Sequence, residues 1–172
     1  MMSKIAFILP MQVVNTSSGN AKRMMQIINI FNKNKNNQID IFCDDYSLTT
    51  EFKDENLICK NYHRNISKIK RVNLYNNQID DWICPNFYKE IKGIVKNDKY
   101  DLVWCNYPFM SKYLKCFNAD NKVIDTHDNF LHRNELLGQI SWFSSNSKEL
   151  YKAFSRANFA VSIAQKEFSI NL

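Results

Sequence analysis

The sequence predicts an α/β protein, a Rossmann-like parallel sheet with helices on both faces. Three observations carry this. Apolar runs of strand length recur at Ile5–Leu9, Ile39–Cys43, Leu102–Cys105, Val123–Ile124 and Phe159–Ile163, and they are continuous, as strands buried on both faces are. Segments with helical spacing lie between them. Several runs also end abruptly in polar residues, as strands do when they deliver side chains to the C-terminal edge of an open sheet, where ligands bind.

Taken in order, Met1 to Lys4 followed by Ile5–Leu9 weakly imitates a signal peptide. The run is short, Pro10 and Gln12 interrupt it, and no small-residue cleavage site follows, so a first core strand explains it better. Ala21, Met24, Met25, Ile28 and Phe31 then follow helical spacing. The Asn/Lys-rich stretch 32–37 reads as the turn into the second strand. Residues 44–84 carry weaker signals: a short strand at Leu57–Cys59, and a basic amphipathic helix from His63 to Asn73 with Arg64, Lys68 and Arg71 against Ile66 and Ile69. Asn86 to Val95 sets Phe87, Ile91, Ile94 and Val95 on one side of a helix. Leu150, Ala153, Phe154 and Ala157 form another stripe, opened by Asn146 and Glu149 as a capping box. After the Phe159–Ile163 strand a helix begins at Ala164 and has barely formed when the sequence ends at Leu172, which reads as a cut at a domain boundary.

The net charge of +6 favours anionic partners such as nucleotide phosphates, acidic lipid surfaces or nucleic acid, and selects none of them. Cys43, Cys59, Cys84, Cys105 and Cys116 are odd in number, widely spaced and free of any Cys-x-x-Cys pair. A disulfide framework or a zinc site is therefore not expected, and the compartment reads as cytosolic. His63 and His132 read as incidental; His127 and His132, five apart, do not share a helical face.

Four places hold candidate chemistry. Asn15 to Asn20, with Ser18 and Gly19, leads into a helix with Lys22 and Arg23 in its first turn. Small residues and helix-end N–H groups suit a phosphate, although neither a dinucleotide fingerprint nor a P-loop is present; an ordinary Ser-rich N-cap is the alternative. Asn106, Tyr107, Pro108 and Phe109 form an aromatic and amide loop after a strand, suited to the C–H faces and hydroxyls of sugar rings, or else simply packed. The basic segment Arg64–Arg71 is either a solvated face or a contact for a lipid surface or acidic acceptor. Asp125, Thr126, His127 and Asp128 end a strand, placing an imidazole between carboxylates that set its tautomer, or else form a turn and cap.

Together these strand ends resemble the N-terminal half of family-4-type retaining glycosyltransferases, which have the two-domain GT-B architecture. The matching stretches are Lys4–Pro10 with the Ser-Gly turn, Tyr100–Phe109, Val123–Glu135 and Trp142–Ile163; Asp125 to Asp128 followed by Arg133 is the most specific. Residues 44–95 contribute little. The resemblance implies an acceptor-binding domain with a nucleotide-sugar as co-substrate and no bound cofactor or metal. It implies that Ser18 and Gly19 approach the donor diphosphate, that His127 contacts the transferring sugar, and that Asp128 and Arg133 shape the acceptor side. His127 and Asp128 are thus the expected catalytic residues, and Ser18, Gly19, Arg23, Asn106, Tyr107, Asp125 and Arg133 the expected substrate-binding ones. Expected partners are a C-terminal donor-binding domain or separate chain, a glycan or lipid-linked acceptor, and an anionic membrane surface at the inner face of the membrane, with no nucleic acid. The single chain is expected to lack efficient transfer activity. The competing expectations are a non-catalytic binding or regulatory module of the same fold, and an unrelated nucleotide-binding α/β domain.

Overall fold

Among the described residues, six strands form one sheet in the order β3-β2-β1-β4-β5-β6, and every neighbouring pair is parallel. The computed structural model describes residues 2–11, 13, 18–44, 59–63 (backbone only), 78–126 and 147–161. The strands are β1 (Lys4–Leu9), β2 (Gln38–Cys43), β3 (Cys59–His63), β4 (Lys99–Asn106), β5 (Asn118–Asp125) and β6 (Phe159–Val161). The helices are α1 (Gly19–Asn32), α2 (Pro85–Ile94) and α3 (Ser147–Phe154), with 3-10 segments at Ile79–Trp82 and Pro108–Cys116. The Rossmann-like α/β class is as the apolar runs predict.

Strand alternation divides the core in two. Ile5, Phe7 and Leu9 of β1 join Ile39 and Ile41 of β2 against Ala21, Met24 and Ile28 of α1. The intervening Ala6, Ile8 and Phe42 face the other way, with Val103, Cys105 and Ile124, against Phe87 and Ile91 of α2 and Met110, Tyr113 and Leu114 of the second 3-10 segment. From Ile5 to Leu9 no residue is more than 2% exposed, which is why the run is apolar on both faces. Burying a Phe, Leu or Ile side chain of this kind contributes roughly 1.5–3 kcal/mol.

Several polar groups inside the fold are tied down. Tyr100 donates its hydroxyl to buried Asp40 at 2.7 Å. Tyr113 donates to buried Asp44 and accepts the Cys84 backbone N–H at 3.2 Å. Asp80 holds Arg156 through both carboxylate oxygens (2.8 and 3.1 Å) and Lys152 at 3.1 Å. Arg156 also donates to Ser111 Oγ at 3.1 Å, so one cluster fastens the chain after α3 to both 3-10 segments. Burial alone pushes the Asp80 carboxyl up, but hydrogen bonds from Arg156 and Lys152 outweigh it and hold the group below the usual carboxylate range.

Three expectations change in detail. The third strand begins where the short strand was expected to end, at Cys59, and runs to His63, so His63 closes a strand instead of opening a helix. The basic segment Arg64–Arg71 lies outside the described residues. β5 spans eight residues rather than two, because its N-terminal half is largely exposed and carries polar residues. Pro108 opens a 3-10 helix, its missing N–H and fixed φ suiting the first position.

Candidate functional site

The order of the sheet fixes where a ligand can sit. β1 connects through α1 to β2 on one side, whereas the later strands extend from β4 on the other. The reversal falls between β1 and β4, and the C-terminal ends of the strands around such a switch point form a crevice. At this edge stand Asn106 at the end of β4 and Tyr107 just after it, Asp125 at the end of β5, and the start of α1 with Ser18, Gly19, Asn20 and Arg23.

Arg23 and Asp125 meet here in a short charge-assisted hydrogen bond, 102 residues apart in sequence. The carboxylate is 0% exposed and the arginine side chain 24%, so the pair is half-sheltered on one side and fully buried on the other. Trp104 adds its indole N–H to the same carboxylate oxygen at 3.3 Å. Trp104 and Asp125 share this face because Trp104 pairs in register with Val123, two residues before Asp125. The arginine expected to meet a phosphate thus has a resident counter-ion, and α1 is fastened to β5.

Tyr107 is the second fixed point. Its φ of 77° with ψ of 140° is a conformation that side chains rarely adopt, and it is the one such non-glycine residue among those described. Strain of this kind costs of order 1–3 kcal/mol and persists only where surrounding contacts over-determine it. Several do. The Tyr107 N–H donates to the Asp125 carbonyl at 2.8 Å, and its own carbonyl accepts from the Met110 N–H at 3.1 Å. Asn20 Nδ2 donates to the phenol oxygen at 2.8 Å. The ring stacks on Phe109, centroids 4.9 Å apart and planes 17° apart. The stacked pair stands beside the strand ends, both rings partly exposed, with Phe109 packed also against the core cluster of Ile79 and Ala153.

Asn106 completes the group. It is 0% exposed, and neither its side-chain oxygen nor its nitrogen has a hydrogen-bond partner. It pairs in register with Asp125, so the orphaned amide lies next to the Arg23–Asp125 pair. Asn20 Oδ1 is likewise buried and unpartnered.

Ser18 takes the N-cap position of α1 in extended backbone, with no capping hydrogen bond from its side chain, while its carbonyl accepts the Lys22 N–H at 3.0 Å. A Cβ built on Gly19 meets no atom within 4 Å. Open space therefore lies over this turn. His127, Asp128 and Arg133, the remaining expected site residues, lie outside the described residues.

The sequence reading missed two participants. Trp104 could have been found from alternation, since it shares a strand face with Asn106. Asn20 was seen only as part of a turn; nothing in sequence shows that it reaches Tyr107. Among the described residues no group of three or more His, Cys, Asp or Glu side chains could hold a metal ion. No described helix is long and apolar enough to cross a membrane. A groove of about 480 Å³ lies at the opposite, N-terminal edge of the sheet, lined by Ile5, Phe31, Leu102, Val123 and Phe159 among others.

No family model matches the chain, and no curated protein matches it by sequence. By structure it is similar to sucrose-phosphate synthase from Thermosynechococcus elongatus, with a TM-score of 0.57 and 12% identity. The match covers 88% of this chain and 39% of that one, so the chain spans well under half the length of its structural relative. The likeness establishes a glycosyltransferase-like fold of Rossmann type.

Proposed function

We propose that this chain is the N-terminal, acceptor-side domain of a GT-B glycosyltransferase of the family-4 retaining type, which moves a sugar from a nucleotide-sugar to a glycan or lipid-linked acceptor in cell-surface polysaccharide or lipopolysaccharide assembly. The observation that carries this reading is the convergence at one sheet edge of a stacked aromatic pair, Tyr107 and Phe109, with the buried amide of Asn106 and the half-buried amide of Asn20. Flat apolar faces beside hydrogen-bonding amides suit a sugar ring, which offers C–H faces and hydroxyls in alternation. Likeness of fold supports the reading without supplying the chemistry.

In this reading a C-terminal domain or a separate chain supplies the nucleotide-sugar, and the open turn at Ser18–Gly19 faces its diphosphate. The first N–H groups of α1 then stabilise the leaving anion. His127 and Asp128 are the proposed catalytic residues and Arg133 an acceptor contact, all three on the resemblance of their motif alone. The work is placed in the cytoplasm, at the inner face of the membrane.

Saturation-transfer NMR on the purified chain tests this, with neutral saccharides and free nucleoside diphosphates as probes and UDP-glucose turnover followed in parallel. The expected result is saccharide contact that Tyr107→Ala weakens, with no robust turnover by the chain alone. Robust turnover by this chain, or nucleotide binding with no saccharide contact, overturns the acceptor-side assignment.

A further inference from the structure

We infer that the buried amide of Asn106 recognises a neutral hydroxyl of the bound ligand, so that the acceptor is selected at this point as an uncharged polyol group and not as an anion. The inference rests on the acceptor-side reading above and adds the chemical class that the site accepts.

The argument is one of hydrogen-bond complementarity. Asn106 is 0% exposed, and both of its side-chain atoms lack a partner. Buried amides are almost always satisfied, and an exception calls for a reason. Among the described residues at this edge, Arg23 Nη1 and Trp104 Nε1 donate to Asp125 Oδ2, and Asn20 Nδ2 donates to the Tyr107 hydroxyl and to Met11 Sδ. What remains unpartnered among the described residues at this edge is a donor at Asn106 Nδ2, an acceptor at Asn106 Oδ1, and a second buried acceptor at Asn20 Oδ1.

A carboxylate or a fully ionised phosphate ester offers acceptors alone and leaves both amide oxygens unsatisfied, and inorganic phosphate brings a donor only together with its negative charge. It would also lie beside the buried carboxylate of Asp125, the register partner of Asn106. An ammonium offers donors alone and leaves Asn106 Nδ2 unpaired. A hydroxyl both gives and accepts, and adjacent hydroxyls on one ring supply both needs at once. The charge that could have attracted an anion here, Arg23, is already neutralised. Tyr107, next in sequence and partly exposed, borders this amide.

The test is Asn106→Leu in the full chain, with glucose, galactose, glucose 6-phosphate and inorganic phosphate as probes. Saturation-transfer NMR reads sugar binding, phosphorus NMR line broadening reads binding of inorganic phosphate, and a thermal melt reads folding. Leucine has nearly the shape of asparagine and removes the unsatisfied groups. A residue kept for ligand recognition therefore gives a variant whose Tm is unchanged or higher and whose apparent Kd for the neutral sugars rises by about tenfold or more. A lower Tm with neutral-sugar binding unchanged overturns the inference and leaves the acceptor-side reading intact, since the amide then serves the fold. Contact with glucose 6-phosphate and inorganic phosphate but with neither neutral sugar has the same consequence. Contact with none of the four probes by the unaltered chain defeats the acceptor-side reading, and this inference falls with it.

Discussion

Removing the guanidinium of Arg23 is expected to destabilise the fold by about 3 kcal/mol, at the low end of the cost of breaking a buried ion pair. The geometry sets this figure. Asp125 is fully buried, and its charge is met by Arg23 and by the Trp104 indole N–H at 3.3 Å. Two charges about 4 Å apart at an effective dielectric near 20 attract by about 4 kcal/mol before desolvation. The arginine side chain is about a quarter exposed, so it gives up only part of its hydration, while Asp125 gives up nearly all of its own. Arg23→Met keeps the aliphatic stem and leaves that carboxylate dependent on neutral donors. Urea melts should show a lower midpoint with an unchanged slope, and the thermal midpoint should fall by about 6–12 °C for a domain of this size. Asp125→Asn keeps an acceptor for Trp104 and removes the stranded charge, so it should cost less than Arg23→Met. The double variant should be more stable than the sum of the two single losses predicts, by about 2 kcal/mol. A cost below about 0.5 kcal/mol for Arg23→Met, or losses that simply add, would refute the claim that this pair fastens α1 to β5.

Two further outcomes follow from titrating groups. The folded Asp80 carboxyl titrates below its unfolded value, so its contribution is fully present above the ordinary carboxyl range near pH 4 and is lost as pH falls through the folded value. The Tm gap between the unaltered chain and Asp80→Asn should accordingly be widest near pH 6 and shrink on acidification; a gap that widens below pH 4 would reverse the assignment. Burial pushes the Cys116 thiol up to about 11, so roughly one molecule in a thousand carries the thiolate at pH 8. With Cys43, Cys59, Cys84 and Cys105 replaced by serine or alanine, labelling of Cys116 in the native state should be slow and gain about tenfold per pH unit up to pH 10; fast, pH-independent labelling at pH 7 would show that the thiol is not sheltered.

What could be read from the sequence follows from where burial is two-sided. β1 and β2 stand out because both of their faces are covered, which forces an unbroken apolar run. β5 was legible only at Val123 and Ile124, since the polar residues Asn118, Asp120 and Asn121 sit on exposed backbone that a composition pattern reads as loop. β3, Cys59 to His63, carries no apolar run and was displaced for that reason. The 3-10 helix after Pro108 has Met110, Tyr113 and Leu114 at helical spacing and buried, a signal hidden by the aromatic residues before it. Tyr107 could not be foreseen: the residue before a proline is expected in extended backbone at negative φ, whereas contacts from Asn20, Asp125 and Phe109 help hold it at positive φ.

The candidate site divides along the same line. That Asn106 and Asp125 stand at a sheet edge was legible, because a polar residue closing a buried apolar run has few other places to be. Which of them answers another residue and which answers a ligand was not, since that depends on the strand order β1-β4-β5 bringing the first turn of α1 over the end of β5. Once it does, Arg23 and Asp125 satisfy each other and the first-turn cation loses its claim on a phosphate. Asn106, beside them in register, receives nothing. The group left open for recognition is therefore an amide, which selects by hydrogen-bond pattern where a cation would have selected by charge, and it is Asn106→Leu rather than Arg23→Met that separates ligand recognition from the integrity of the fold.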